Sequence, residues 1–221
     1  MRRLLILRPE PGASATVRRA GELGLRALAV PLFEVGPVSW EAQDPARFDG
    51  LLLTSANAVR HGGKKLARLR GLPVYAVGEA TADAARDAGF EIAVTGDGGI
   101  DWLLGSIDSD LRLLHLCGED RREPAGAQQA ITSLAVYRAK PVERPDLRGA
   151  RGAVALIHSA RAGQRFAELV QDRESIVIAA ISPFAAQAAA DCWEAVEIAD
   201  APTNEALLAL AARLCNNSPP K

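Results

Sequence analysis

Cysteine is scarce: Cys117, Cys192 and Cys215 are the only three in 221 residues. Odd in number and far apart, they offer neither a disulfide framework nor the paired spacing of a zinc site. A reducing cytoplasm is their simplest home. No apolar run is long enough to span a membrane, so a membrane is not expected as a partner. The short apolar run at residues 4–7 leads directly into Arg8, Pro9 and Glu10. It reads as a strand and a turn, not as a signal peptide. A basic excess is also missing: 26 Lys and Arg against 27 Asp and Glu leave a net charge of −1. That argues against bulk nucleic-acid binding while leaving room for a local basic pocket. The hydrolase elbow Gly-x-Ser-x-Gly does not occur. Gly96, Asp97, Gly98 and Gly99 have neither the spacing nor the context of a dinucleotide fingerprint or a P-loop. His61, His115 and His158 show no metal-ligand spacing and read as structural residues. The stretch 61–65, His-Gly-Gly-Lys-Lys, reads as a solvated helix break.

What the chain does contain is a long internal repeat. Adding 104 to a position near Leu52 gives its counterpart near Leu156. Ser55 matches Ser159, Ala56 matches Ala160, Ala82 matches Ala186, Asp87 matches Asp191, and Leu103 with Leu104 matches Leu207 with Leu208. The register holds without a gap. Its period is too long for a solenoid and fits two copies of one α/β domain. With 48% hydrophobic residues, both copies can bury a core.

Apolar runs and turn residues predict strands over 3–8, 26–33 (interrupted by Pro31), 50–54, 74–77, 91–95, 111–117 and 131–138. Further strands are predicted over 154–159, 176–181 and 196–199. Helices are predicted over 14–23, with Gly24 as its cap, and over 56–69, 79–88, 99–107, 162–170, 184–191 and 204–214. Residues 34–38 read as a connection, and the tail from Asn216 as frayed. Alternating strands and helices imply parallel sheets with right-handed crossovers.

The second copy has three strands of its own and needs two more. The N-terminal pair supplies them, since Leu4-Leu5-Ile6-Leu7 resembles Leu113-Leu114-His115-Leu116. One domain is therefore discontinuous, residues 1–33 with 142–221. The other, residues 38–135, is inserted within it. Residues 34–37 and 136–141 cross between them and can pair as a two-stranded hinge ribbon. The expected fold is two similar parallel-sheet α/β domains, flavodoxin- or Rossmann-like, facing each other across a cleft.

Four turns end a strand and open a helix: Thr54-Ser55-Ala56-Asn57, Val77-Gly78-Glu79-Ala80-Thr81, His158-Ser159-Ala160-Arg161 and Ile181-Ser182-Pro183. Ligands of parallel sheets bind at such ends, where helix N-termini offer unpaired N–H groups to anions. Any one turn alone is an ordinary N-cap; four equivalent ones suggest an anion-lined cleft. The substrate-binding candidates are Arg8, Thr54, Ser55, Asn57, Gly78, Thr81, Ser159, Arg161 and Ser182. Tyr137, one of two tyrosines, falls on the second crossing strand. A hinge tyrosine can offer its hydroxyl to a cleft, or simply pack. Glu119, Asp120, Arg121 and Arg122 form an exposed loop whose arginines could also face an anion.

Together these motifs resemble the uroporphyrinogen-III synthase family over nearly the whole chain. The resemblance rests on Leu7-Arg8-Pro9, Leu53-Thr54-Ser55-Ala56-Asn57-Ala58-Val59, Val77-Gly78-Glu79-Ala80-Thr81-Ala82, Leu116-Cys117-Gly118, Val136-Tyr137 and Ile181-Ser182-Pro183. It implies a cofactor-free cytoplasmic lyase of haem biosynthesis, a monomer acting on hydroxymethylbilane. The linear tetrapyrrole would close with inversion of its last ring, through a spiro intermediate, with loss of water. Hydroxymethylbilane synthase would be a transient contact. Tyr137 is then the candidate acid. Two positions depart from the family: the segment 118–131 is short for a helix, and Ala185 stands where the family often has threonine. The other reading is a non-catalytic cytoplasmic module of two lobes that binds an anionic small molecule. Similar folds serve both roles.

Overall fold

A computed structural model describes residues 1–96, 99–121, 124 and 126–216. From the start of the chain come β1 (Leu4–Ile6), α1 (Gly12–Glu22), β2 (Ala27–Ala29) and β3 (Phe33–Pro37). Next follow β4 (Gly50–Leu53), α2 (Ala56–Gly62), β5 (Val74–Val77), α3 (Glu79–Asp87), β6 (Ile92–Gly96) and α4 (Ile100–Gly105). Two long strands, β7 (Arg112–Gly118) and β8 (Ala130–Pro141), lead to β9 (Val154–Ile157) and α5 (Ala160–Leu169). The last elements are β10 (Val177–Ala180), α6 (Pro183–Ala188), β11 (Ala195–Ile198) and α7 (Asn204–Asn216).

The backbone divides into two units, Met1–Glu34 with Pro141–Lys221, and Val35–Lys140. One sheet has the order β11-β10-β9-β1-β2 and is parallel throughout. The other has the order β3-β8-β7-β4-β5-β6, and β8 through β6 are parallel. The Val38 N–H donates to the Val136 carbonyl and the Val142 N–H to that of Leu32. The numbers run in opposite senses, so β3 and β8 are antiparallel neighbours.

Pairing register repeats between the sheets. Val154 of β9 pairs with Leu4, as its counterpart Gly50 of β4 pairs with Leu113. Leu4 then pairs with Ala27, as Leu113 pairs with Ile131. The resemblance of 4–7 to 113–116 is therefore a resemblance of central strands in equivalent places.

Continuous burial along β4, β9 and β10 follows from their position. A parallel strand with helices on both faces has no wet side, so it reads as an unbroken apolar run. Leu51 and Leu53 pack with Val74, Ala76, Leu114 and Leu116 under Ala58 of α2 and Ala82 and Ala85 of α3. On the opposite face Leu52 and Leu113 meet Leu103 and Leu104 of α4. In the other unit, Leu4, Ile6, Val154 and Leu156 are covered by Ala13 and Ala20 of α1 and Leu207, Leu208 and Ala211 of α7. Each fully buried leucine stabilises by roughly 1.5–3 kcal/mol. Small residues bring helices together as well. A Cβ on Gly163 of α5 would lie 2.9 Å from the Ala185 carbonyl oxygen of α6.

Several elements differ from the sequence expectation. The helix expected over 56–69 stops at Gly62 and continues as 3-10 turns over Gly63–Leu69. Gly63 has φ +69°, a left-handed conformation that glycine adopts without strain. The strand expected over 26–33 is divided: β2 spans Ala27–Ala29, the Val30 and Leu32 N–H groups still donate to the Ile6 and Leu7 carbonyls, and Phe33 already belongs to β3. The crossing stretch 34–38 forms β3 (Phe33–Pro37) beside β8, the pairing expected of the two crossing segments. Between β7 and β8 no described residue is helical. Asp97, Gly98 and Arg122, named among the sequence motifs, lie outside the described residues, as does the tail beyond Asn216.

Candidate functional site

Strand register sets the C-terminal edge of the inserted unit's sheet. Leu53 pairs with Ala76 on one side and Leu116 on the other. Ser55, Gly78 and Gly118 each lie two residues beyond that line. Ser55 is the N-cap of α2, and its oxygen accepts the Asn57 N–H at 3.2 Å. Gly78 caps α3 with φ +81° and no side-chain hydrogen bond, so α3 begins with uncovered N–H groups. A Cβ on Gly78 would meet nothing within 4 Å. Glu79 opens the same helix, but Arg86 pairs with it at 2.6 Å and with Asp83 at 2.6 Å. Thr81 is buried on the third helical residue.

Tyr137 is brought to this edge by the bulge that pairs it with Gly118. The fit is close: a Cβ on Gly118 would lie 2.9 Å from the ring and 3.2 Å from the hydroxyl. The His61 ring lies across from it, with centroids 6.4 Å apart. Burial pushes the phenol above its ordinary value, and the neighbouring Ser55 hydroxyl acts in the opposite direction. Thr54 has a different task. Its hydroxyl is 3.1 Å from Nε2 of the buried His115, whose Nδ1 is 3.4 Å from the Ser133 hydroxyl.

The edge of the discontinuous unit is built the same way. Ile6 pairs with Leu156, and Leu156 with Ala179. Arg8, His158 and Ile181 lie two residues beyond. Ser159 caps α5 by accepting the Ala162 N–H at 3.2 Å, and Ser182 caps α6 by accepting that of Ala185 at 3.3 Å. Ala185, the alanine in place of a threonine, is buried just as its counterpart Thr81 is. Arg161 places its guanidinium 4.4 Å from the centroid of the Phe33 ring.

Asn204, the first residue of α7, ties this edge together. Its Oδ1 accepts from the Thr16 hydroxyl at 3.2 Å and faces His158 Nε2 at 3.1 Å and Arg8 Nη1 at 3.5 Å. Burial first, and the Arg8 cation second, hold the His158 imidazole down at about 4. The Arg8 guanidinium lies over Gly12, where a Cβ would be only 2.5 Å away.

The structure thus brings Ser55, Gly78 and Tyr137 to one sheet edge and Arg8, Ser159, Arg161 and Ser182 to the other. The three serine oxygens serve as helix caps, so what these turns offer an anion is mainly backbone N–H. Asn57 spends its own N–H on Ser55. Sequence reasoning missed Asn204, Thr16, Gly12, Gly118 and Phe33. Phe33 had a signal: it is the counterpart of Tyr137 at the same offset of 104. Phe184, at the end of the Ser182 turn, is 73% exposed. Among the described residues no cluster of His, Cys, Asp or Glu could hold a metal, and no helix is long and apolar enough to cross a membrane.

Comparison with known proteins bears on this arrangement. Two solved structures share the fold. The uroporphyrinogen-III synthetase of Helicobacter pylori 26695 superposes with a TM-score of 0.68 at 22% identity, covering 97% of this chain and 100% of that one. A mutant uroporphyrinogen III synthase from the extremely thermophilic bacterium Thermus thermophilus gives 0.57 at 19% identity, covering 98% and 100%. A curated relative, the uroporphyrinogen-III synthase of Chlorobaculum parvum (strain DSM 263 / NCIMB 8327), is 31% identical over 101 residues. That match spans 42% of this chain and 41% of the relative. A family model described as Uroporphyrinogen-III synthase HemD matches residues 14–209, and by that match the chain belongs to the uroporphyrinogen-III synthase family.

Proposed function

We propose that this chain is a uroporphyrinogen-III synthase, which cyclises hydroxymethylbilane with inversion of the last pyrrole ring and loss of water. The observation that carries the reading is the family match across residues 14–209. The geometry supplies a physical account. The substrate carries eight carboxylates on a flexible chain. Two sets of strand-end turns, one per unit, present backbone N–H groups suited to carboxylates. Arg8 and Arg161 add guanidinium groups without requiring a basic protein. Phe184 offers an exposed aromatic face to a pyrrole ring.

In the reaction the pyrrole nitrogen pushes out the terminal hydroxyl, which becomes water by taking up a proton from solvent that the final loss of a proton returns. The substituted carbon of the last ring attacks first and forms the spiro intermediate. Rearrangement and loss of a proton then give the inverted macrocycle. Catalysis here is chiefly the holding of that ring in the productive orientation. Tyr137 assists departure of the hydroxyl. Because burial raises its pKa, the phenol stays protonated through neutral pH and acts as a hydrogen-bond donor. Ser55, whose oxygen already accepts the Asn57 N–H, turns its own hydrogen to the phenol oxygen and leaves the phenolic hydrogen for the leaving group.

On this reading the protein is a monomer of two α/β domains, residues 1–33 with 142–221 and residues 38–135, linked by residues 34–37 and 136–141. It works in the cytoplasm, needs no cofactor and makes transient contact with hydroxymethylbilane synthase. Three free cysteines, two of them buried, accord with a reducing compartment. The deciding experiment supplies freshly prepared hydroxymethylbilane and identifies the uroporphyrinogen isomer formed. A synthase gives the type III isomer ahead of spontaneous closure. A binding module leaves only the uninverted isomer, and that result would overturn the reading.

A further inference from the structure

The sheet of the discontinuous unit has a second edge, where its strands begin, and that edge is densely basic. Arg2, Arg3, Arg26, Arg148 and Arg151 line one cavity of about 380 Å³. Strand pairing brings them there. Arg3 and Arg26 immediately precede β1 and β2, and the Leu4 N–H donates to the Arg26 carbonyl at 2.9 Å. The Val154 N–H donates to the Arg3 carbonyl at 2.9 Å, which draws in the turn carrying Arg148 and Arg151. Gly149 leaves room for a guanidinium, since a Cβ there would lie 3.0 Å from Arg3 Nη1.

The local charge is only partly balanced. Arg2 is held by Glu194 at 2.8 Å and Arg148 by Asp146 at 2.6 Å. Arg151 is 4.0 Å from Asp172. Among the described residues no acidic side chain lines the cavity itself. The Arg3 and Arg26 side chains have no hydrogen bond or ion pair among the described residues. Like charges gathered without a counter-charge repel one another, and the chain as a whole is at −1, so this is a local concentration and not a generally basic surface. A guanidinium fork matches the paired oxygens of carboxylate and phosphate. The volume lies in the range of small-molecule sites.

We propose that this edge binds a small, multiply charged oxyanion, held chiefly by Arg3 and Arg26, at the opposite end of the strands from the turns that take the substrate. The site stands independently of the proposed activity. The test is isothermal titration at low ionic strength with inorganic pyrophosphate and, separately, with citrate. At least one should bind saturably with one-to-one stoichiometry; binding of pyrophosphate alone assigns phosphoryl ligands, and of citrate alone carboxylates. The Arg3→Gln/Arg26→Gln double variant should weaken that binding by about tenfold or more, while its turnover of hydroxymethylbilane stays at the wild-type value. Asp146→Asn, which releases Arg148, should tighten it. The proposal is overturned if neither anion binds saturably or if the double variant binds as wild type does. Loss of turnover together with binding, in a folded double variant, also overturns it, because the arginines would then belong to the substrate site.

Discussion

At the scale of single residues, the setting of Tyr137 decides what it can do. Burial makes its phenol a poorer acid than a free tyrosine, so full proton transfer is disfavoured and hydrogen-bond donation remains. General acid assistance is worth about 10²–10⁴-fold, and Tyr137→Phe is expected at the low end or below. It should still exceed the loss from Thr54, Ser55, Thr81 or Ser159 hydroxyl removal. Thr54 is committed to His115, and the serine caps cost about 1 kcal/mol of stability when lost while the N–H groups stay in place. Initial rates of type III product, corrected for spontaneous closure, provide the check. Near-wild-type turnover in Tyr137→Phe beside a large loss in Thr81→Ala or Ser159→Ala would leave positioning by anion contacts as the whole mechanism. Arg8 permits a cleaner probe through its neighbour. Gly12→Ala puts a methyl where the guanidinium lies and must move it, while alanine favours the helix by up to about 1 kcal/mol. KM should rise several-fold with kcat and thermal stability largely kept. An unchanged KM would remove Arg8 from the binding set. These roles were only half legible in the sequence. Residue type and place at a strand end marked Arg8 and Ser159. Asn204, which Arg8 meets, comes from an element distant in sequence, and nothing local in Asn204, Gly12 or Thr16 signals what each will touch.

Between elements, the critical contact is that of β7 with β8. The two pair in parallel across a bulge that aligns Gly118 with Tyr137, and only a hydrogen on Gly118 leaves space for the ring. Unlike an arginine tip, a packed ring cannot swing aside cheaply. Gly118→Ala is therefore expected to reduce turnover at least as much as Tyr137→Phe, with the fold intact by circular dichroism. The double variant should be little worse than either single one, since both act on the same hydroxyl; additive losses would mean that Gly118 matters for another reason. At this scale the sequence said a great deal. The offset of 104 carried the strand correspondence because equivalent central strands need equivalent apolar runs. Element ends were less legible. β2 ended sooner than its apolar residues suggested, and β3 was legible as half of a crossing ribbon although Gly36 and Pro37 suit turns. Only pairing with a partner some hundred residues away makes it a strand.

For the molecule as a whole, the near-zero net charge leaves pH sensitivity to a few groups whose surroundings shift them. His158 is held at about 4 against an ordinary 6.5. Below 6.5 the unfolded chain takes up a proton that the native site refuses, so the unfolded state binds more protons and native stability falls with falling pH. The loss develops between about pH 6.5 and pH 4 and then levels off. Its full size is on the order of 3 kcal/mol, at 1.36 kcal/mol per pKa unit. His61, also lowered by burial, acts in the same window and direction. The paired carboxylates Asp49 and Asp146, held down at about 2 by Arg112 and Arg148, act only at lower pH, as their pKa values are already depressed. Denaturant unfolding of wild type and His158→Gln from pH 7.5 to pH 4.5 separates these contributions. Glutamine loses the imidazole's contact with Asn204 at every pH, which offsets the curve as a whole. It cannot titrate, so its stability should fall distinctly less steeply than that of wild type below pH 6.5. Parallel curves would mean that His158 takes up its proton at an ordinary pH. The network of Arg8, Asn204 and Thr16 would then have to accommodate an imidazolium beside the arginine.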